Sequence, residues 1–142
     1  MKLAFAWLML SGALPAVAAD PAPADLSAYA GKYPTDPVNG TSFLSDPRVR
    51  AAVEAAVPNE GMRAWIHERE GQRTPIELRT GRLISWACEP RNCNDHEWTL
   101  FIDPAGTTVE ICYRVGQRMG RRSRWFRTGS PSELRPIEGC PA

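Results

Sequence analysis

Apolar residues recur along this chain with two periods, and the change comes near Pro75. In "SDPRVRAAVEAAVP", Val49, Val53, Ala56 and Val57 fall at helical spacing and make one apolar stripe. Arg48, Arg50 and Glu54 face elsewhere. Ser45 or Asp46 can cap this helix, Pro47 suits its first position, and Pro58 stops it. Met62, Trp65 and Ile66 repeat the spacing in "MRAWIH", which predicts a second short helix with those residues in the core. After Pro75 the period is two. "PIELR" and "RLISWAC" flank Thr80-Gly81, a hairpin signal. "HEWTLFID" sets Trp98, Leu100 and Ile102 on one face, and "DPAG" makes the next turn. "TTVEICYRV" alternates, with Val109, Ile111, Tyr113 and Val115 inward and Glu110, Cys112 and Arg114 outward. "SRWFR" reads as the last strand, with one of Trp125 and Phe126 in the core and the other on the surface. The expected fold class is α+β: an antiparallel sheet of four to five strands with helices packed on one face.

The first residues carry a different signal. Lys2 precedes an apolar run from Leu3 to Leu14, and small residues follow at Ala16, Ala18 and Ala19. That layout predicts a cleaved secretory leader over residues 1–19, because the run is too short to span a bilayer. Residues 20–142 then form a single domain, with 20–37, rich in Ala, Pro and Asp, as an extended N-terminal arm. The chain has 17 Lys and Arg and 16 Asp and Glu, and only Lys2 lies in the leader, so the exported part is balanced. Neither nucleic acid nor a membrane surface is expected as a partner. The arginines from Arg114 to Arg127 read as a solvated turn balanced by acids elsewhere.

All four cysteines lie in the exported part, where an even count reads as two disulfides. Three pairings are possible, and the expected one is Cys88–Cys93 with Cys112–Cys140. The short closure would contribute about 2 kcal/mol and the longer about 3.5 kcal/mol by loop-closure entropy. Cys88, Cys93, His96 and Cys112 could instead be considered as zinc ligands, but the spacing and the compartment favour oxidation. A thiol redox centre would need a tighter Cys-x-x-Cys at a helix start. No serine sits in a nucleophile elbow, and His96 beside Asp95 on a strand would point away from it. No metal, no cofactor and no catalytic residue is expected. In this frame "CEPRNC" is the tip of a hairpin pinned shut, with Glu89, Pro90, Arg91 and Asn92 held out stiffly, Pro90 fixing one φ angle.

Three stretches, "YPTDPVNGTSFLSDPRVRAAVEAAV", "GRLISWACEPRNCNDHEWTLFIDPAG" and "RWFRTGSPSEL", together resemble the inhibitor of vertebrate lysozyme (Ivy) family of periplasmic bacterial proteins. That family carries a disulfide-closed loop of pattern C-K-P-H-D-C. Here the loop is Cys88, Glu89, Pro90, Arg91, Asn92 and Cys93, with both cysteines and the proline in place. The resemblance implies an Ivy-like fold, a periplasmic location, an inhibitory rather than catalytic role, and an occasional homodimer. It also implies that the residue at Arg91, a histidine in the family, meets the two catalytic carboxylates of a lysozyme. A guanidinium can bridge such a pair, whereas Glu89 brings a like charge to an acidic cleft. Asp95 and His96 are candidates for loop support or rim contacts. The expected partner is a lysozyme or the cell's own lytic transglycosylase. The alternative is an immunity or scaffold module that binds another cell-wall enzyme through a different surface.

Overall fold

Pro47 opens the first helix, where a missing N–H costs nothing, and Asp46 caps it. The Asp46 side chain accepts from the backbone N–H of Arg48, and the helix α1 runs Pro47–Ala56. Its stripe of Val49, Val53, Ala56 and Val57 is buried, as the spacing predicts. Helix α2, Glu60–His67, is capped by Asn59; Ile66 is buried, and Met62 and Trp65 pack half-covered against the same core. These elements belong to a computed structural model that describes residues 23–142. The leader over residues 1–19 and the start of the arm lie outside the described residues.

The chain is α+β with antiparallel pairing throughout. Two short strands, β1 (Pro37–Val38) and β2 (Thr41–Ser42), form a small hairpin. The main sheet has seven strands: β3 (Gln72–Arg73), β4 (Glu77–Arg79), β5 (Arg82–Cys88), β6 (His96–Ile102), β7 (Val109–Val115), β8 (Ser123–Arg127) and β9 (Ser130–Arg135). They pair in chain order from β5 to β9, while β3 and β4 share the outer edge of β5. The Thr80-Gly81 turn has positive φ at both residues, 50° and 74°, which suits a tight two-residue hairpin. A third helix, α3 (Gly116–Met119), is one turn long.

Four to five strands was thus an undercount. "PIELR" is present as β4, but β3 has only two residues and shows no period, and β9 is a polar edge strand, SPSELR, that buries no apolar face. "SRWFR" is therefore not the last strand. The arm also departs from the expected extended form, because Leu26–Tyr29 is a 3-10 turn whose Leu26 and Tyr29 are fully buried. Tyr29 stacks edge-on to Phe43, 5.7 Å between centroids, and its hydroxyl donates to Asp46.

Helices α1 and α2 cover one face of the sheet. Leu83, Trp98, Leu100, Ile102, Ile111 and Phe126 meet Val49, Val53 and Ile66 there. The other face is covered as well, by the C-terminal tail. Cys112, Trp125 and Cys140 cluster on it with Phe101, and the disulfides are Cys88–Cys93 and Cys112–Cys140. For this reason Cys112, expected outward, is buried; Arg114, also expected outward, is buried against the Asn94 and Gly120 carbonyls. Trp125 and Phe126 are both buried, one on each face.

Asp46 ties the arm, a second 3-10 turn at Phe43–Ser45, and α1 together. Its buried carboxyl would be pushed up by desolvation, but hydrogen bonds from the Arg48 side chain and backbone and from Tyr29 outweigh this and hold it below 3.8. A carboxyl with a depressed folded value stabilises the fold above its unfolded value and loses that contribution as the pH falls through the folded one. Asp46→Ala is expected to cost about 1–3 kcal/mol in urea unfolding, from the lost cap and the stranded Tyr29 hydroxyl. It should also flatten the acid limb of stability against pH, and an unchanged acid limb would contradict the role given to Asp46. Cys112→Ser with Cys140→Ser is expected to cost about 3 kcal/mol in the same measurement.

Candidate functional site

The loop between β5 and β6 builds its own frame. Asn92 N donates to Glu89 O at 3.0 Å, which closes a turn with Pro90 second and Arg91 third. Arg91 has φ of 63°. Proline second and a left-handed third residue is the type II pattern, where a non-glycine residue is held at some cost. Asp95 N and His96 N both donate to Asn92 O, at 3.0 and 2.8 Å, and Glu89 N donates to His96 O at 2.9 Å. The Cys88–Cys93 bridge, with Cα atoms 4.8 Å apart, clamps this frame to the end of β5. Pro90 and Arg91 stand exposed at its tip.

Glu89 does not stand out with them. Its Oε2 accepts from Asn92 Nδ2 at 2.8 Å and lies 2.9 Å from His96 Nδ1. The Asn92 amide first, and His96 second, hold its carboxyl below the ordinary 4.5. An ionised carboxylate only accepts, so Nδ1 of His96 carries the proton. In the neutral ring Nε2 is then an acceptor for the Tyr113 hydroxyl, 2.6 Å away. Burial first, then the charge of Glu89, pushes the Tyr113 phenol up to about 12. His96, a candidate for loop support or for the rim, is buried. It lies edge-on to Trp65, 4.5 Å between centroids, and beside Trp98 and Tyr113. The loop is therefore seated on the main core through one imidazole.

The other side of the loop is held from β7. Arg114, with its side chain 8% exposed, donates to Asn94 O and, at 3.2 Å, to Gly120 O. Gly116 N donates to Asp95 O. A Cβ at Gly116 would come 2.5 Å from Asp95 Oδ1 and 2.9 Å from Arg114, so a larger residue there would push these two side-chain ends aside. Arg114 also lies 4.0 Å from Glu97 Oε1, and that oxygen accepts from Cys140 N at 3.1 Å. The second disulfide thus reaches the loop through Cys140, Glu97 and Arg114.

The structure brings all the sequence-predicted residues to this one end of the sheet: Cys88, Glu89, Pro90, Arg91, Asn92, Cys93, Asp95 and His96. It divides their roles. Pro90 and Arg91 are presented, whereas Glu89, Asn92 and His96 support. Trp65, Tyr113 and Arg114 belong to the site and were not anticipated. Trp65 and Tyr113 read as ordinary core positions, and Arg114 as an outward strand residue. The one available signal was the alternation that puts Trp98 and Tyr113 opposite each other on β6 and β7. All four thiols are taken up in disulfides. No cluster of metal-ligating side chains, and no helix long and apolar enough to cross a membrane, occurs among the described residues. Comparison with family models, with curated proteins and with solved structures finds no match.

The Glu89 carboxylate makes loop order sensitive to acid with a defined sign. Its value is depressed, so its hydrogen bonds persist below pH 4.5 and are lost as the pH falls through the lowered value. Backbone amide shifts of Asn92 and His96 should follow that titration, and Glu89→Gln should abolish it. Identical pH profiles for the two proteins would show that Glu89 does not order the loop.

Proposed function

We propose that the chain is an exported, non-enzymatic inhibitor of a lysozyme-type peptidoglycan glycosidase, either a lysozyme or a lytic transglycosylase. One observation carries the reading. A disulfide-closed loop presents a single exposed cation, Arg91, at a rigid tip, while its one carboxylate is turned back onto His96. The likeness of "CEPRNC" and its flanks to the lysozyme-inhibitor loop supplies the class of target, and the two disulfides are in keeping with an exported, periplasmic protein.

The chemistry is that of a cation offered to paired carboxylates. Retaining glycosidases hold their two catalytic carboxyls about 5 Å apart, within the span of one guanidinium fork. Entry strips water from a full charge, and that cost is offset when both carboxylates are ionised and the fork is well placed. Glu89 was expected to repel an acidic cleft. Its engagement with Asn92 and His96 removes that objection, because its charge is directed inward and shared with two donors. Pre-ordering matters too: the turn, the proline and the bridge restrict the loop before any encounter, so binding sacrifices less freedom.

The test is inhibition of a panel of purified lysozymes and lytic transglycosylases. Wild-type protein is expected to inhibit at least one at micromolar concentration. Arg91→Ala should raise the inhibition constant by about 100-fold, the scale seen when a central charged anchor is removed from an interface. Reduction of Cys88–Cys93 should weaken inhibition in the same direction. Absence of inhibition across the panel, or an Arg91→Ala protein as potent as wild type, would sink the proposal.

A further inference from the structure

Among the described residues, the arginines divide sharply. All but three donate a side-chain hydrogen bond or lie in an ion pair. The exceptions are Arg69, Arg91 and Arg118, and all three are exposed at the loop end of the sheet. Arg91 is the loop tip. Arg69 and Arg118 flank a groove that runs beside the loop, with Trp65, Tyr113 and Val115 between them. The groove continues along Glu89, Asn92, Asp95 and His96, and its two lobes measure about 280 and 270 Å³.

The two flanking guanidiniums are not equivalent to ordinary surface arginines. Arg69 lies over the Trp65 ring, 4.8 Å from guanidinium carbon to centroid. That stacking orders the side chain while leaving its donors free. Arg118 projects from α3, whose position is set by the packing of Gly116 against Asp95 and Arg114. Elsewhere the protein satisfies its guanidiniums with its own acids, carbonyls and hydroxyls, as where Arg82, Arg127 and Arg135 gather on Glu110 and Arg63 meets the Val57 and Pro58 carbonyls. At this groove it does not. Of the two carboxylates on the loop wall, Glu89 is held by Asn92 and His96, and Asp95 makes no ion pair with Arg69 or Arg118. An aromatic floor, a guanidinium stacked on Trp65 and two arginines without a hydrogen-bond or ion-pair partner of their own match the composition of an anchor pocket at a protein interface.

We infer that this groove is a second docking point for the target: it receives an acidic segment of the protein partner, whose carboxylates pair with Arg69 and Arg118 while Arg91 enters the catalytic cleft. The inference rests on the inhibitor reading for the identity of the partner, but the groove's preference for carboxylate-bearing chains stands on its own. The two contacts act differently. Arg91 is a buried plug whose loss raises the dissociation rate. Arg69 and Arg118 are a rim pair that steers approach and carries the salt dependence.

Arg69→Ala with Arg118→Ala removes both charges from exposed positions and leaves the core intact; unchanged thermal unfolding verifies this. Against a glycosidase that wild type inhibits, the double variant is expected to weaken inhibition about tenfold, mostly through a slower association rate with a shallower salt dependence. Equal potency and equal salt dependence would overturn the inference while leaving the role of Arg91 untouched. A probe free of any glycosidase separates the two ideas. Calorimetric titration of the intact protein with poly-L-glutamate should show salt-sensitive binding, retained in Arg91→Ala and lost in the double variant. No binding, or equal binding by the double variant, would overturn the inference even if the glycosidase assay succeeds. Binding lost in the double variant would uphold the groove even if no glycosidase is inhibited.

Discussion

The inward turn of Glu89 governs what the loop can do. A carboxylate next to the tip would otherwise sit beside Arg91 and give the finger no net character. Because Glu89 lies on Asn92 and His96, the tip of the loop offers one sign of charge. The same contact anchors the loop, since His96 is wedged among Trp65, Trp98 and Tyr113. A buried imidazole with both nitrogens engaged is a stable seat, because moving it would leave polar atoms without partners in the core. Charge placement and rigidity therefore come from a single chain of hydrogen bonds, Glu89 to His96 to Tyr113.

The second disulfide adds to this from the opposite face of the sheet. Cys112–Cys140 brings the tail across β7, and Cys140 N then meets the buried carboxylate of Glu97. Glu97 faces Arg114, and Arg114 holds the Asn94 carbonyl of the loop. Breaking any member of such a buried set leaves a charge or a donor uncompensated, so its members persist together. The loop is restrained from β5 by a covalent bridge and from β7 by this polar chain. That degree of order suits a binding element whose geometry is set at folding.

Electrostatics divides the surface in the same way. A chain with nearly equal numbers of acids and bases has no global field to attract a partner. Local pairing makes the difference. Glu110 gathers three arginines at the far end of the sheet, and Arg121 finds Glu138. Among the described residues, the guanidiniums with neither a side-chain hydrogen bond nor an ion pair all lie at the loop end, and Arg69 there stacks on Trp65.

Much of this was readable along the chain, and the rest was not, for definite reasons. The helix over Pro47–Ala56, its stop before Pro58, the Thr80-Gly81 hairpin, the three long strands and both disulfides follow from local rules: capping chemistry, proline geometry, periodicity and an even cysteine count. So does the exposed, closed loop with Arg91 at its tip. The edge strands β3 and β9 did not, because the two residues of β3 carry no period and β9 buries no face. Nor did the burial of Cys112, Arg114 and Trp125, since alternation tells which face a residue takes but not whether a distant tail or a neighbouring loop will cover it. The inward turn of Glu89 and the grouping of Trp65, Arg69 and Arg118 beside the loop arise only when α2, β6 and β7 are brought together. Neighbours in a sequence determine backbone shape, whereas the partner that a charge finds depends on residues far along the chain.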